Sequence, residues 1–184
     1  MTEARIPLVE RKDDLSAEAR RAWDEIARSR GRVFGPFTAL LQSPEMARRI
    51  AHLGAYVRFE SALEPVDREL AILATARAMD CRYEWAAHVP LAREAGVRQE
   101  AIAAIRERRA PAGLTGEEAE IVAYVTRLLR DHRVDDATFA AARERLGVPR
   151  LVELTATAGY YAMLACALNA FAIAPDPGAD VLPD

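Results

Sequence analysis

The sequence predicts an all-α protein, a helical bundle of about eight or nine helices. Three observations carry this. Alanine, leucine, arginine and glutamate, all strong helix formers, dominate the 184 residues. Alternating strand patterns joined by hairpin turns are absent. The glycines and prolines fall largely where apolar helical periodicity begins or ends.

The elements follow in order. Ser16 is a good N-cap, with Glu18 in the first turn behind it, for a helix that Gly31 should stop. Leu15, Ala19, Ala22, Trp23 and Ile26 fall at helical spacing and should face a core. A loop with Gly35-Pro36 leads to a short apolar helix. Ser43-Pro44-Glu45 then combines a capping hydroxyl, a proline at the first helical position and an acid at the positive dipole end. That helix should carry Met46 to about Phe59. Glu64-Pro65 opens the next, "VDRELAILATARAM", which should be central. Asp80 is placed to cap a helix from Cys81 to about Ala95, closed by Gly96. Arg98 to Arg109 reads as helix, with Pro111 preventing its continuation. Thr115 and Glu118 form a capping box. Asp135 or Asp136 caps a helix ending at Gly147, and Pro149 begins a last, long apolar helix. With almost no charge after Glu153, that helix should be buried all round, centrally or at a subunit interface. One domain over residues 1–184 is expected, with 1–13 and 174–184 as extended arms. The second arm is expected to be mobile or to lie on a neighbour.

Composition excludes several classes. A net charge of -3, with arginines interspersed among acids, gives no electrostatic reason to expect nucleic acid or an anionic membrane. No apolar run is expected to reach the ~20 residues that span a bilayer. The charged start "MTEARIPLVERKDD" lacks the apolar core of a signal peptide. Two cysteines make no disulfide framework, which suits a reducing cytoplasm.

The chemistry concentrates in "MDCRYEWAAH", Met79 to His88. Residues three, four and seven apart share one helix face, so Cys81, Glu84 and His88 should form one stripe. Cys81 would sit in the first turn, where the dipole and Arg82 favour a thiolate. His88, one turn beyond Glu84, can exchange a proton with it or be oriented by it. Glu69, in "DREL" on the preceding helix, reaches the same place if the two helices pack side by side. Two carboxylates and an imidazole sharing a partly dry pocket would have displaced pKa values, as proton-transfer catalysts need. Against this stands ordinary packing: a solvated glutamate, a structural histidine and a small core cysteine.

"ELAILATARAMDCRYEWAAHVPLAREAG" resembles the carboxymuconolactone decarboxylase family, which includes the alkyl hydroperoxide reductase D-like peroxidases. Its peroxidase members carry E-x11-C-x2-C-x3-H. Here Glu69, Cys81, Glu84 and His88 keep every spacing, but glutamate replaces the second cysteine. The flanks "VFGPFTALLQSPEMA" and "ELTATAGYYAMLACALNAF" are similar to family sequence as well.

In the peroxidases two cysteines cycle through a disulfide while the histidine and first glutamate relay protons. Without a thiol at position 84, Cys81 cannot close that local disulfide. Cys166, in the most apolar helix, reads as structural. The resemblance therefore implies three alternatives: a cofactor-independent lyase or isomerase acting on a small organic acid or lactone; a thiol-dependent hydroperoxide reductase using Cys81 alone, resolved by an outside thiol; or a non-catalytic oligomeric scaffold. In the first, Glu84 and His88 are general acid and base and Glu69 tunes or relays. Arg77 or Arg82 would pair with a substrate carboxylate. Tyr83 and Trp85 are candidate pocket walls, and Tyr160 and Tyr161 can bring a hydroxyl from the long helix, although packing explains all four. The resemblance implies no metal and no organic cofactor, and His52 and His132 sit on surface-like stretches. It also implies a homo-oligomer, a dimer, trimer or hexamer.

Overall fold

The computed structural model describes residues 4–183, and every regular element among them is helical. The order is α1 (Ala17–Arg30), α2 (Pro36–Leu40), α3 (Pro44–Ala55), α4 (Pro65–Ala78), α5 (Arg82–Glu94), α6 (Gln99–Arg106), α7 (Gly116–Arg130) and α8 (Asp136–Ala170). A 3-10 turn, Lys12–Asp14, precedes α1, and a π-helical turn, Tyr56–Glu60, follows α3. Inside α8, Gly147 has φ 71° and ψ 166°, so the run is two helices meeting at the expected stop. Two compact units divide the chain. One takes the residues up to Ser61 with Cys166–Ala174, and the other takes Ala62–Ala165 with the residues from Pro175.

In the first unit α1 packs on α3, and Ala22 and Ile26 meet Phe37, Leu41, Ala47 and Ala51. The Ser16 hydroxyl accepts from the Ala19 amide at 3.3 Å, and Gly31 ends α1 at φ 76°. Ser43 differs from expectation: its side chain makes no capping bond. Pro44 at the first helical position and Glu45 in the first turn supply the start. Residues before α1 lie along their own unit, with the Arg5 amide donating to Phe171 O and the Val9 amide to Thr38 O.

In the second unit α4 is the centre, packed by α5, α6 and α7. Leu70, Ile72 and Leu73 are each at most 1% exposed, and burying each contributes roughly 1.5–3 kcal/mol. Thr115 and Glu118 make the capping box on α7. Asp135 Oδ1 accepts from the Thr138 amide at the start of α8. The α6 helix stops at Arg106 rather than Arg109, because Arg108 turns the chain at φ 54°. In the C-terminal segment Asp180 pairs with Arg93 and Arg106, and Leu182 is 1% exposed in the core. The ends of both expected arms, 1–3 and 184, lie outside the described residues.

Helix α8 corrects two expectations. By length and composition it is long and apolar enough to cross a membrane, and half of its most apolar window is buried within the chain. It is also not buried all round. Val148 and Val152 are 55% and 61% exposed, and Ala156, Gly159 and Cys166 face outward. Its outer face carries no charge there because small residues, not polar ones, occupy it.

Candidate functional site

The site grows from the turn between α4 and α5. Met79 ends α4 near φ -91° and ψ 0°, and Asp80 adopts the left-handed conformation at φ 47°. That reversal sends α5 back along α4. Glu69 lies nine residues before the end of α4, and His88 six residues into α5. At 1.5 Å rise per residue these are comparable distances of ~10–14 Å from the turn, so the two side chains meet.

Their geometry is close. His88 Nδ1 lies 2.8 Å from Glu69 Oε2, and Nε2 lies 3.6 Å from Glu84 Oε2. All three residues are at most 6% exposed. A carboxylate only accepts, so the Glu69 contact places the imidazole proton on Nδ1 and leaves Nε2 as the acceptor toward Glu84. At 3.6 Å that second approach is beyond a good hydrogen bond. Nε2 and Glu84 Oε2 thus face each other across a gap that one proton can occupy. The edge of one ring meets the face of the other between His88 and Tyr161, at 5.0 Å and 86° between planes, and Tyr160 packs on Tyr161 in the same way. The sequence offered Tyr161 for its hydroxyl; the structure gives its ring a contact with the central imidazole.

The remaining candidates are distributed differently. Cys81 is the N-cap of α5 rather than a first-turn residue, and it is fully buried. Asp80 is not the cap. It pairs with Arg77, and Arg108 Nη2 donates to both its oxygens at 2.6 and 2.8 Å. Arg77 is not brought to the Glu69, Glu84 and His88 group, since its Nε donates to Arg106 O at 2.8 Å. Burial, with the charges of Arg108 and Arg130 nearby, holds the Arg77 pKa below the usual arginine value. Trp85 is a core residue, 0% exposed, with the Arg106 guanidinium 5.6 Å from its ring centre. Tyr83 is half-buried and Arg82 exposed. His52 and His132 lie on the surface, and Cys166, expected within a buried helix, is exposed. Among the described residues no three His, Cys, Asp or Glu side chains are grouped as a metal ion would require. Pro90, inside α5 two residues past His88, carried no signal in the sequence reading.

The α4–α5 hairpin thus carries a carboxylate–imidazole–carboxylate row inside an all-helical fold. Residues 44–127, a little under half of the chain, match the model of the carboxymuconolactone decarboxylase family. Among solved structures, the chain is similar to the alkylhydroperoxidase AhpD core of an uncharacterized peroxidase-related protein from Ralstonia eutropha JMP134. The identity is 19% and the TM-score 0.78, over 96% of this chain and 94% of that one. A peroxidase-related protein from Silicibacter sp. TM1040 is 18% identical, with TM-score 0.73 and 96% of each chain covered. The debrominase Bmp8, as a cysteine-to-alanine variant in complex with 2,3,4-tribromopyrrole, is 11% identical with TM-score 0.76, over 95% of this chain and 93% of that one. At these identities the likeness is one of fold. No curated protein matches the chain.

Proposed function

We propose that the protein is a cofactor-independent proton-transfer enzyme of the carboxymuconolactone decarboxylase type, acting on a small organic acid or lactone. The observation that carries this is His88 held between two buried carboxylates, one bonded at 2.8 Å and one waiting at 3.6 Å. Glu69 fixes the ring and its tautomer. Nε2 and Glu84 form the pair that takes a proton from, or returns it to, an enolate-like carbon. Decarboxylation or isomerisation of such a substrate needs that proton delivered in a site shielded from water. The 3.6 Å contact and the burial of both groups oppose the scaffold reading, which requires Glu84 and His88 to lie apart or on a solvated face.

The thiol-dependent peroxidase is the second reading, supported by Cys81 at the N-terminus of α5, where the helix dipole favours a thiolate. Its full burial, and glutamate rather than a thiol at position 84, weigh against it. One set of assays separates the two. Peroxide consumption with dithiol donors is compared between wild type and Cys81→Ser, alongside turnover of a panel of small lactone acids. The lyase reading expects lactone-acid turnover that Glu84→Gln and His88→Ala each abolish and Cys81→Ser leaves nearly intact. Peroxide turnover that vanishes in Cys81→Ser overturns it, as does lactone-acid turnover that persists in both other variants.

A further inference from the structure

A second feature of the same unit is left unexplained by proton transfer. A cleft of about 460 Å³, counted with its open mouth, is lined by the apolar Ala74, Ala78, Ile105 and Val122 together with Arg77, Arg108 and Arg130. None of Glu69, Glu84 and His88 lines it. Its enclosed part is only about 100 Å³, below the ~300–1,000 Å³ of drug-sized sites, so it suits only a compact ligand; small-molecule sites combine apolar walls with a few placed polar groups.

The charges do not balance. Arg77 and Arg108 share Asp80, and among the described residues no ion pair joins Arg130 to a carboxylate. Three guanidinium groups thus face one carboxyl. Arginines favour helix C-termini, and α4, α6 and α7 all end near this cleft. That preference accounts for Arg77 Nε, which donates to the last carbonyl of α6. It does not explain why three like charges, from three separate elements, line one apolar cleft. Like charges brought together repel, which costs stability unless an anion joins them. Asp80 also holds a left-handed backbone at φ 47°, a conformation that is uncommon for a non-glycine residue.

We propose that this cleft is a binding site for a small organic anion, a carboxylate or phosphate group borne on a compact apolar body. Arg108 and Arg130 hold the oxyanion at the mouth, Arg77 adds charge from beneath, and Ala74, Ala78, Ile105 and Val122 receive the apolar part. Guanidinium forks suit both oxyanions bidentately.

Benzoate and phenyl phosphate are the probes, with benzamide as the neutral control, measured by isothermal titration of the full chain. One of the two anions is expected to bind saturably at a dissociation constant on the order of 0.1–1 mM, and the tighter one identifies the headgroup. Arg108→Gln and Arg130→Gln, both at exposed positions that should leave folding intact, should weaken binding by ~10-fold or more. Arg130→Lys should restore part of it. The double variant Glu84→Gln/His88→Ala should bind the anion as wild type does, which separates this cleft from the proton-transfer site. Absence of saturable binding by either anion overturns the proposal. So do equal affinity for benzamide, unchanged affinity in both glutamine variants, or loss of binding in the double variant alone.

Discussion

Glu69→Gln tests the centre of the site without needing the substrate. Gln is nearly isosteric with Glu, so the contact to His88 Nδ1 at 2.8 Å can be kept. What changes is its polarity. The carboxylate can only accept, which obliges Nδ1 to carry a proton; the amide can also donate. Nε2 faces Glu84 at 3.6 Å. With Glu69 no longer demanding the Nδ1 proton, the favoured arrangement has the Gln amide donating to Nδ1 and Nε2–H pointing toward Glu84.

The magnitudes are separable. A hydrogen bond to a charged group contributes ~1.5–3 kcal/mol and a neutral one ~0.5–1.5, so stability should fall by only about 1 kcal/mol. Holding the imidazole in the wrong tautomer should cost a factor of ~10²–10⁴ in turnover, the range of general acid–base catalysis. Long-range proton–nitrogen correlation spectra read the tautomer directly. The chain has three histidines, and His88→Ala assigns the signal. Protonated Nδ1 in wild type and unprotonated Nδ1 in the variant is the expected result. An unprotonated Nδ1 in wild type, or the same tautomer in both proteins, refutes the reasoning.

Other predictions rest on neighbouring features. Arg98 donates to both oxygens of the buried Glu118, at 3.0 and 2.6 Å, and its bonds hold the Glu118 carboxyl below the usual carboxylate range despite burial. This stabilisation is fully present above the unfolded carboxyl pKa and is lost as pH falls through the folded one; Arg98→Ala should therefore lower the urea midpoint at pH 7, by an amount that shrinks in acid, and an equal loss at pH 7 and pH 3 contradicts it. Tyr161→Phe should keep the ring-current shift on His88, whereas Tyr161→Ala should remove it and destabilise by ~3–5 kcal/mol; equal His88 shifts in the two variants argue against the ring contact. Glu84→Cys places two thiols one helical turn apart, within disulfide reach, so mild oxidation should remove two free thiols and leave Cys166. Retention of all three shows that Cys81 and residue 84 do not approach.

Much of the helical order was legible because its signals are local. Ser16, Gly31, the Thr115–Glu118 box and Gly147 act through atoms a few residues away, and each appears where expected. Less legible were features decided by tertiary contacts. Asp80 reads as a cap, but Arg77 and Arg108 claim its carboxyl and its backbone turns left-handed. Helix α8 reads as buried on all sides, but the outward positions carry small residues that cost little when exposed. The spacing from Glu69 to His88 could be read as one face of two helices. The ring of Tyr161 could not, since nothing in its local pattern points across the bundle to His88.

Position 84 is where fold and chemistry come apart. A thiol buried there can stay neutral at little cost, because cysteine packs as a small apolar residue. A carboxyl in the same place must hold a proton or face a partner that can carry charge, since an isolated buried carboxylate is costly. His88, 3.6 Å away, is such a partner. Glutamate at 84 is thus compatible with the hairpin, the core around α4 and the Glu69–His88 bond, and under the proposed function it puts a proton pair where a second thiol would allow a disulfide. The helices that place these residues depend on caps and apolar contacts elsewhere in the chain, so the scaffold tolerates the exchange. Sequence pattern and fold can therefore agree closely while the chemistry proposed for the site depends on one side chain.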